Sequence, residues 1–278
     1  MAGVDFLAVK IYCSGEIREI LIAELSQLDY DSMMETDDGL EAYIDKARFN
    51  EQDLNDILNK YNGHSIAYEV TPVVSRNWNE EWEKNYDPIV VEDKIYVRAT
   101  FHREDSSFPY EIIINPRMSF GTGHHATTWL MLKNQMRVDH KGKTVLDAGT
   151  GTAILAIMAE KLGAREVIAY DNNSWSIENA PENVSLNHCR NIEIMEGTID
   201  SLRLGRRFDL ILANINKNVL LSETGQYADH LVDGGKLILS GFYEQDDQSI
   251  IDCAASSGLE LIHSGHRNDW SSLVFVKK

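Results

Sequence analysis

The stretch that decides the fold is Val145-Leu146-Asp147-Ala148-Gly149-Thr150-Gly151. An apolar run ends there in a glycine turn, and the following segment, 153–162, has the pattern of a helix that Gly163 ends. Glycines at such a turn let the main chain approach a ligand closely, with the amino terminus of the helix behind it. The stretch therefore predicts a strand–turn–helix unit of an α/β domain that binds a ligand at its turn.

The glycine turn by itself does not identify the ligand. A dinucleotide-binding fingerprint requires a third glycine at position 154, where this chain has Ile154. A carboxylate at Asp147 would repel a pyrophosphate and attract an ammonium group. We therefore expect Asp147, Gly149 and Gly151 to bind a methionine-type cofactor, and a nicotinamide-dependent dehydrogenase is disfavoured.

Strands and helices alternate from residue 143 to the end of the chain. Seven strands are predicted, at 144–148, 166–171, 192–196, 208–214, 236–242, 259–265 and 271–276. Helices separate most of the first five, which indicates βαβ units in a mainly parallel, doubly wound sheet. A short polar segment joins the last two strands, so this pair should be antiparallel.

Two polar residues stand at the carboxyl ends of predicted strands, the edge where ligands bind in such sheets. Asp171 ends the strand after the glycine turn, and a carboxylate there can accept hydrogen bonds from both ribose hydroxyls of an adenosine group. Asn214 ends the fourth strand, where an amide oxygen can accept a hydrogen bond from a nucleophilic amine. The alternatives are a surface carboxylate and an asparagine that caps the next helix.

A loop rich in glycine and threonine precedes the sheet and leads into a predicted helix at 128–136. It could be merely a structured turn, and its adjacent histidines are a poor metal site because their side chains diverge. We expect it to be a mobile lid over the cofactor. The candidate contacts that it supplies are Phe120, Gly121, Thr122, Gly123, His124, Thr127 and Thr128.

Residues 1–75 predict a separate small domain of ferredoxin-like β-α-β-β-α-β order. Its predicted strands are 6–12, 30–35, 40–44 and 65–74, and its helices are 16–28 and 49–60. No Cys/His cluster or glycine-rich phosphate loop occurs there, so a substrate-binding role is expected. Residues 76–88 are predicted to form a helical linker with Trp78 and Trp82 on one face. Strands at 95–101 and 111–115 introduce the second domain, 89–278.

The chain is acidic, with a formal net charge of −18. Residues 1–75 hold 15 Asp/Glu against 5 Lys/Arg. Proteins that bind duplex DNA or bare RNA normally present a basic face, so direct nucleic-acid binding is not expected. The acidic front domain indicates either a basic protein partner or a solubility feature.

Several features bear on the cellular compartment. No apolar run approaches the length that crosses a bilayer, and the amino terminus shows no signal peptide. The three cysteines are scattered, which suits reduced thiols rather than disulfides or a metal site. We therefore expect a cytoplasmic protein with no membrane partner.

Three motifs together resemble the ribosomal protein L-eleven methyltransferase family. They are M-S-F-G-T-G-H-H-A-T-T at 118–128, L-D-A-G-T-G-T-A-I-L-A-I at 146–157 and F-D-L-I-L-A-N-I at 208–215. The first is specific to that family, whereas the second is shared across class I methyltransferases. The resemblance covers almost the whole chain, including the acidic front domain and Trp270. It implies a seven-stranded Rossmann-like class I methyltransferase domain behind a small α+β ferredoxin-like domain.

The resemblance also implies a reaction. S-adenosyl-L-methionine would donate methyl groups to lysine ε-amines, and also to the N-terminal α-amine, of a large-subunit ribosomal protein. The implied cofactor contacts are Thr128, Gly149, Asp171 and Asn214, with Asn214 also the catalytic residue. No His/Asp pair stands at an obvious spacing for a general base, so positioning of the amine and deprotonation through solvent are expected, without a metal.

Two other functions remain open at the level of sequence. One is a class I methyltransferase acting on a nucleobase or another amine, and the other is a non-catalytic cofactor-binding protein of ribosome assembly. Three positions also depart from the family pattern. Asn115-Pro116-Arg117 replaces a proline-glycine pair, Asn216 stands where leucine is common, and Pro181 lies inside the predicted helix 174–186. Pro181 should start or kink that helix, and Asn216 is the departure expected to affect the amine pocket.

Overall fold

The computed structural model describes residues 6–73, 86–115, 121, 123 and 125–278. Contacts divide the chain into two compact units, Met1–Tyr86 and Asp87–Lys278. Residues 76–85 of the predicted helical linker, which include Trp78 and Trp82, fall outside the described residues, and residues 86–88 are described without helical structure. Across those residues, no helix is long and apolar enough to cross a membrane.

The first unit is a four-stranded antiparallel sheet with two helices on one face. Its elements are β1 (Phe6–Tyr12), α1 (Gly15–Leu25), β2 (Ser32–Thr36), β3 (Gly39–Asp45), α2 (Glu51–Asn59) and β4 (Ala67–Val73). The strand order β2-β3-β1-β4 confirms the ferredoxin-like arrangement. Val9 and Ile11 of the central strand are fully buried with Leu21 and Leu54 of the helices, because alternate side chains of a strand face one side of its sheet.

Helix α1 ends three residues before the predicted end at Leu28. The amides of Gln27 and Leu28 donate to the carbonyls of Glu24 and Leu25, three residues back, at 3.1 and 2.9 Å. This is the tighter hydrogen bonding of a 3₁₀ turn. Leu28 still packs on the core, so its spacing imitates a continuing helix.

The second unit begins with a three-stranded sheet, β5 (Ile89–Val91), β6 (Ile95–Arg98) and β7 (Tyr110–Ile113), in the order β5-β6-β7. Strand β5 is not predicted from the sequence, since three residues are too few to show a period. Strand β6 ends three residues before the predicted Phe101, because the His102 amide turns back to the Ala99 carbonyl at 3.2 Å. The buried Arg98 binds Glu111 at 2.7 Å and joins β6 to β7.

The main sheet of the second unit has seven strands in the order β10-β9-β8-β11-β12-β14-β13. Strands β8 to β12 run parallel, and β14 is antiparallel to both β12 and β13. The predicted doubly wound sheet with an antiparallel terminal pair is therefore confirmed. The strands are β8 (Thr144–Ala148), β9 (Glu166–Asp171), β10 (Ile192–Glu196), β11 (Phe208–Asn214), β12 (Leu231–Tyr243), β13 (Leu259–Arg267) and β14 (Trp270–Lys277).

Helices cover both faces of this sheet, which is why its strands are almost wholly apolar. Within β8, Val145 faces a core shared with Met131 and Ile157, and Leu146 faces another shared with Leu220 and Ile250. The helices are α3 (Ala126–Gln135), α4 (Ile154–Lys161), α5 (Ser174–Leu186), α6 (Lys217–Asp229) and α7 (Asp247–Ser256).

Helix α5 has the predicted bounds, but Pro181 does not start it. The helix begins at Ser174, where the Asn173 side chain accepts a hydrogen bond from the Trp175 amide at 3.0 Å. An asparagine cap satisfies one of the free amides at a helix start. Pro181 thus lies within the helix and leaves one carbonyl of the preceding turn without its helical donor.

Candidate functional site

A cavity of about 560 Å³ opens at the carboxyl edge of the seven-stranded sheet. Its wall includes residues that follow or end strands β8 to β11, namely Thr198, Asp171, Gly149, Gly151 and Asn214. Gly241, near the end of β12, and Trp270, at the start of the antiparallel β14, also line it. Asp171 and Glu223 are the carboxylates of the wall, and the described lining contains no Lys or Arg. Such a site favours a cationic ligand over a phosphate.

The glycine turn after β8 is shaped by close approach to Ile215. Gly149 has φ of 70°, and a Cβ added there would collide with the Ile215 side chain. Gly241 has φ of 101°, and a Cβ there would collide with the Ile215 carbonyl. Only glycine adopts these conformations readily in so little space. Ile215 is therefore held between two glycines at the floor of the cavity.

Asp171 joins the glycine turn to the end of β9. Its Oδ2 accepts a hydrogen bond from the Gly151 amide at 2.9 Å, and its Oδ1 accepts one from the Asn173 amide at 2.9 Å. Each carboxylate oxygen has a second lone pair. Asp171 can therefore also accept hydrogen bonds from a ligand in the cavity that it lines.

Asp147 lies behind the turn rather than in the cavity. It is fully buried, and its Oδ2 accepts hydrogen bonds from Thr150 Oγ1 at 2.6 Å and the Ala156 amide at 3.2 Å. The second bond satisfies a free amide at the start of α4, where the cap residue Ala153 has no side-chain acceptor. Burial raises the pKa of Asp147 to about 7. Its Oδ1 has no hydrogen-bond partner among the described residues, and Asp147 is not among the residues that line the cavity. Contact between this carboxylate and an ammonium group therefore stays a prediction.

Asn214 presents an unused acceptor at the cavity wall. Its Nδ2 donates to Thr128 Oγ1 at 3.5 Å, whereas its Oδ1 is buried and has no partner among the described residues. A buried oxygen without a donor is costly, so it indicates a ligand that supplies an N–H or O–H. Thr128 is fully buried behind Asn214, and its neighbour Thr127 lines the cavity.

The predicted lid is described only in part, because Phe120, Thr122 and His124 lie outside the described residues. The Gly121 carbonyl accepts a hydrogen bond from Thr152 Oγ1 at 2.6 Å. A Cβ on Gly123 would lie 2.8 Å from Ile89 Cδ1. These two glycines therefore pack near the start of α4 and on β5, and neither lines the cavity.

Several lining residues were not predicted from sequence. His125, next to the predicted His124, caps α3: its Nδ1 accepts hydrogen bonds from Thr127 Oγ1 at 2.8 Å and the Thr127 amide at 3.4 Å. The ring meets Trp270 edge-on at 4.5 Å, and burial lowers the pKa of His125. Trp270 was indicated only by the resemblance to the family, and Thr198 and Glu223 belong to no sequence motif. The sheet order brings Thr198 and Trp270 to the same edge, whereas Glu223 reaches the cavity from helix α6.

Two of the departures from the family pattern have structural reasons. Asn115 donates from its side chain to Glu182 Oε1 and from its amide to Asn183 Oδ1, both at 2.8 Å. It thereby ties the segment before the loop to α5. Asn216 accepts a hydrogen bond from the Val219 amide at 3.2 Å and caps α6 while lining the cavity.

The residues present fit S-adenosyl-L-methionine. The glycine turn offers close main-chain approach, Asp171 has free lone pairs, and the described wall has no cation to repel a sulfonium. No group of three or more His, Cys, Asp or Glu within the described part of the chain could hold a metal ion. The sheet order and this site define a class I S-adenosyl-L-methionine-dependent methyltransferase.

The comparisons with known proteins narrow the class to one family. The family model described as "Ribosomal protein L11 methyltransferase (PrmA)" matches residues 7–278, and the chain belongs to that family. A ribosomal protein L11 methyltransferase of Phocaeicola vulgatus is 38% identical over 269 residues, which cover 96% of each chain. Another, from Porphyromonas gingivalis, is 42% identical over 261 residues, covering 93% of this chain and 90% of the relative.

Solved structures agree with this assignment. The crystal structure of ribosomal protein L11 methylase from Lactobacillus delbrueckii subsp. bulgaricus has a TM-score of 0.64 and 30% identity. It matches 69% of this chain and 100% of its own. A methyltransferase from Pyrococcus furiosus, at 22% identity and a TM-score of 0.51, shares the fold over 60% of this chain and 89% of its own.

Proposed function

We propose that the protein transfers methyl groups from S-adenosyl-L-methionine to amines of ribosomal protein L11, namely lysine ε-amines and the N-terminal α-amine. The observation that carries this chemistry is the Oδ1 of Asn214 in the cavity wall, which is buried and has no partner among the described residues. Strand β11, which Asn214 ends, lies next to β8 and its glycine turn. An acceptor for an amine N–H thus stands beside the turn that would hold the cofactor. The substrate follows from the relatives, which are named for ribosomal protein L11.

The cofactor would be held by Gly149, Gly151 and Asp171. The main chain of the two glycines approaches the ligand, and the remaining lone pairs of Asp171 accept the ribose hydroxyls. When bound, S-adenosyl-L-methionine supplies an electrophilic methyl group on a positively charged sulfonium. The carboxylates of Asp171 and Glu223 favour that charge, since the described lining has no Lys or Arg.

The acceptor amine must lose a proton before it reacts. A lysine with a pKa near 10.4 is neutral in about one molecule in a thousand at pH 7.4. Asn214 Oδ1 would accept one N–H of the neutral amine and thereby direct its lone pair. His125 is a poor base for this step, because its Nδ1 already accepts hydrogen bonds from Thr127 and burial lowers its pKa. The proton therefore leaves to solvent.

Residues 1–75 are the proposed reader of the protein substrate, joined by a linker at 76–88 to the catalytic domain at 89–278. This front part is acidic, holding 15 Asp/Glu against 5 Lys/Arg, whereas every residue assigned to the cofactor lies beyond position 115. A basic protein surface would complement it. We place the reaction in the cytoplasm, with no direct contact to nucleic acid or membrane.

The proposal is tested by incubating the full-length protein with methyl-labelled S-adenosyl-L-methionine and unmethylated ribosomal protein L11. Mass spectrometry of the product should show methyl groups on lysine side chains and on the amino terminus. Ribosomal RNA in a parallel reaction should stay unlabelled. Label on the RNA and none on the protein would favour a nucleobase methyltransferase and overturn the proposal.

A further inference from the structure

Glu223 contributes a carboxylate to the cavity wall from the second turn of α6. Its Oε2 accepts a hydrogen bond from the hydroxyl of Tyr227, one turn further along the helix. Tyr227 is fully buried, and its hydroxyl lies 3.5 Å from that of Tyr170 on β9. The buried tyrosine pair thus holds the Glu223 side chain in one orientation.

The second oxygen of this carboxylate is available to a ligand. No described residue donates a hydrogen bond or forms an ion pair with Glu223 other than Tyr227. The two oxygens of Asp171, in contrast, both accept main-chain amides. Glu223 Oε1 is therefore an acceptor in the wall for which the described part of the chain supplies no donor.

The sheet order tells which end of the cavity Glu223 occupies. Strands β9 and β10 lie on one side of β8, with Asp171 and Thr198 at their carboxyl ends, and β11, β12 and β14 lie on the other side, with Asn214 and Trp270. The hydroxyl of Tyr170, on β9, lies 3.5 Å from that of Tyr227, which donates a hydrogen bond to Glu223. We therefore place Glu223 on the β9 side of the cavity.

In S-adenosyl-L-methionine the base and the methyl group lie on opposite sides of the ribose. With the ribose at Asp171 and the methyl group near Asn214, the base falls at the β9–β10 end. The exocyclic amine of adenine is a hydrogen-bond donor. We infer that Glu223 is a specificity-determining residue that selects the adenine base by accepting a hydrogen bond from this amine. The inference rests on the proposed function, because it assumes that the cavity holds this cofactor.

The test measures binding of S-adenosylhomocysteine and of S-inosylhomocysteine, in which a carbonyl oxygen replaces the exocyclic amine. By calorimetry, the unsubstituted protein should bind the adenosyl compound at least about tenfold more tightly, because a carboxylate repels that carbonyl. Glu223→Gln places an amide donor at the same position. It should reduce the ratio of the two affinities about tenfold, mainly by weakening the adenosyl compound. An unchanged ratio in folded protein overturns the inference.

Two further variants sharpen the experiment. Asp229→Asn removes an exposed acid from the same helix and should leave the ratio unchanged. Tyr227→Phe removes the hydroxyl that orients Glu223, so it should reduce the ratio of the adenosyl and inosyl affinities. This variant tests the inference if Glu223→Gln does not fold. Failure of the unsubstituted protein to bind either compound would instead count against the proposed function. Normal adenosyl binding with a ratio insensitive to both substitutions removes only the role of Glu223.

Discussion

The main-chain amide of Gly151 donates a hydrogen bond to Asp171 Oδ2 at 2.9 Å, so the glycine turn and the carboxylate that we propose to bind the ribose form one unit. Replacing the carboxylate affects the two parts together, since the ligand loses an acceptor and the turn loses its anchor.

Asp171→Ala should therefore weaken binding of S-adenosylhomocysteine by about 1.5–3 kcal/mol, or ten- to a hundredfold in affinity. Calorimetry on the folded variant measures this directly. Asp229→Asn, on α6, serves as the control for a general charge effect. Unchanged affinity in Asp171→Ala would remove this residue from the site.

Gly149 and Gly142 form a matched pair for testing close approach at the turn. Both have φ of 70°, but a Cβ on Gly142 meets nothing within 4 Å, whereas one on Gly149 collides with Ile215. Alanine at either position should cost about 1 kcal/mol for the left-handed conformation. Only Gly149→Ala should lose further stability in urea and fail to bind S-adenosylhomocysteine. Equal behaviour of the two variants would mean that the turn has room for a side chain.

Asn214→Ala should reduce kcat about a hundredfold while leaving the affinity for S-adenosylhomocysteine within a few fold, because the amine loses its orienting acceptor. Thr128→Val removes only the hydroxyl that accepts from Asn214 Nδ2 and should have a smaller effect in the same direction. Steady-state kinetics with ribosomal protein L11 gives both numbers. If Asn214→Ala raises only the KM for ribosomal protein L11 and leaves kcat unchanged, Asn214 acts in substrate binding instead.

Asp147 gives a prediction about stability and pH. Its pKa in the folded protein, about 7, lies above that of an unfolded aspartate, so the unfolded chain loses this proton first as the pH rises. The residue therefore stabilises the fold relative to Asp147→Asn most fully below about pH 4, and this contribution declines until about pH 7. Urea unfolding at pH 5 and pH 8 should show that the stability difference between the two proteins changes by roughly 2–3 kcal/mol between these pH values.

The same variant separates two roles for Asp147. If the residue supports the turn from behind, Asp147→Asn should keep the hydrogen bonds to Thr150 and Ala156 and bind S-adenosylhomocysteine within about threefold of the parent. A direct contact with the ammonium group predicts a loss of tenfold or more. Parallel stability curves across this pH range would contradict the buried, protonated carboxylate.

The sequence predicts the central strands well because burial on both faces leaves a continuous apolar run with sharp ends. Strands β8 to β11 have the predicted bounds. Strand β12 is longer than the predicted 236–242, because it begins at Leu231 and its register against β11 shifts around Gly234 and Gly235. Paired glycines in a sequence indicate a turn, and only the partner strand shows that they form an irregularity within a strand.

Site residues that end strands could be predicted from the sequence. Site residues that the fold brings together from distant parts of the chain could not. Asp171 and Asn214 could be placed at the carboxyl edge from the strand pattern alone. Glu223 could not, because its link to Tyr170 through the hydroxyl of Tyr227 depends on how α6 packs on the sheet. The direction of the Asp147 side chain could not be predicted either, because a residue in a strand can face the ligand or the helix behind it.

The tripeptide Asn214-Ile215-Asn216 should tolerate few substitutions, which limits its use in engineering the enzyme for new methyl acceptors. Its first residue supplies the acceptor oxygen, its second fills the gap between Gly149 and Gly241, and its third starts α6. A library randomised here would lose most members to misfolding before their selectivity could be scored. Diversity is better introduced at Trp270, at the start of β14, where the side chain lines the cavity and its ring contacts are with the side chains of His125 and Tyr243.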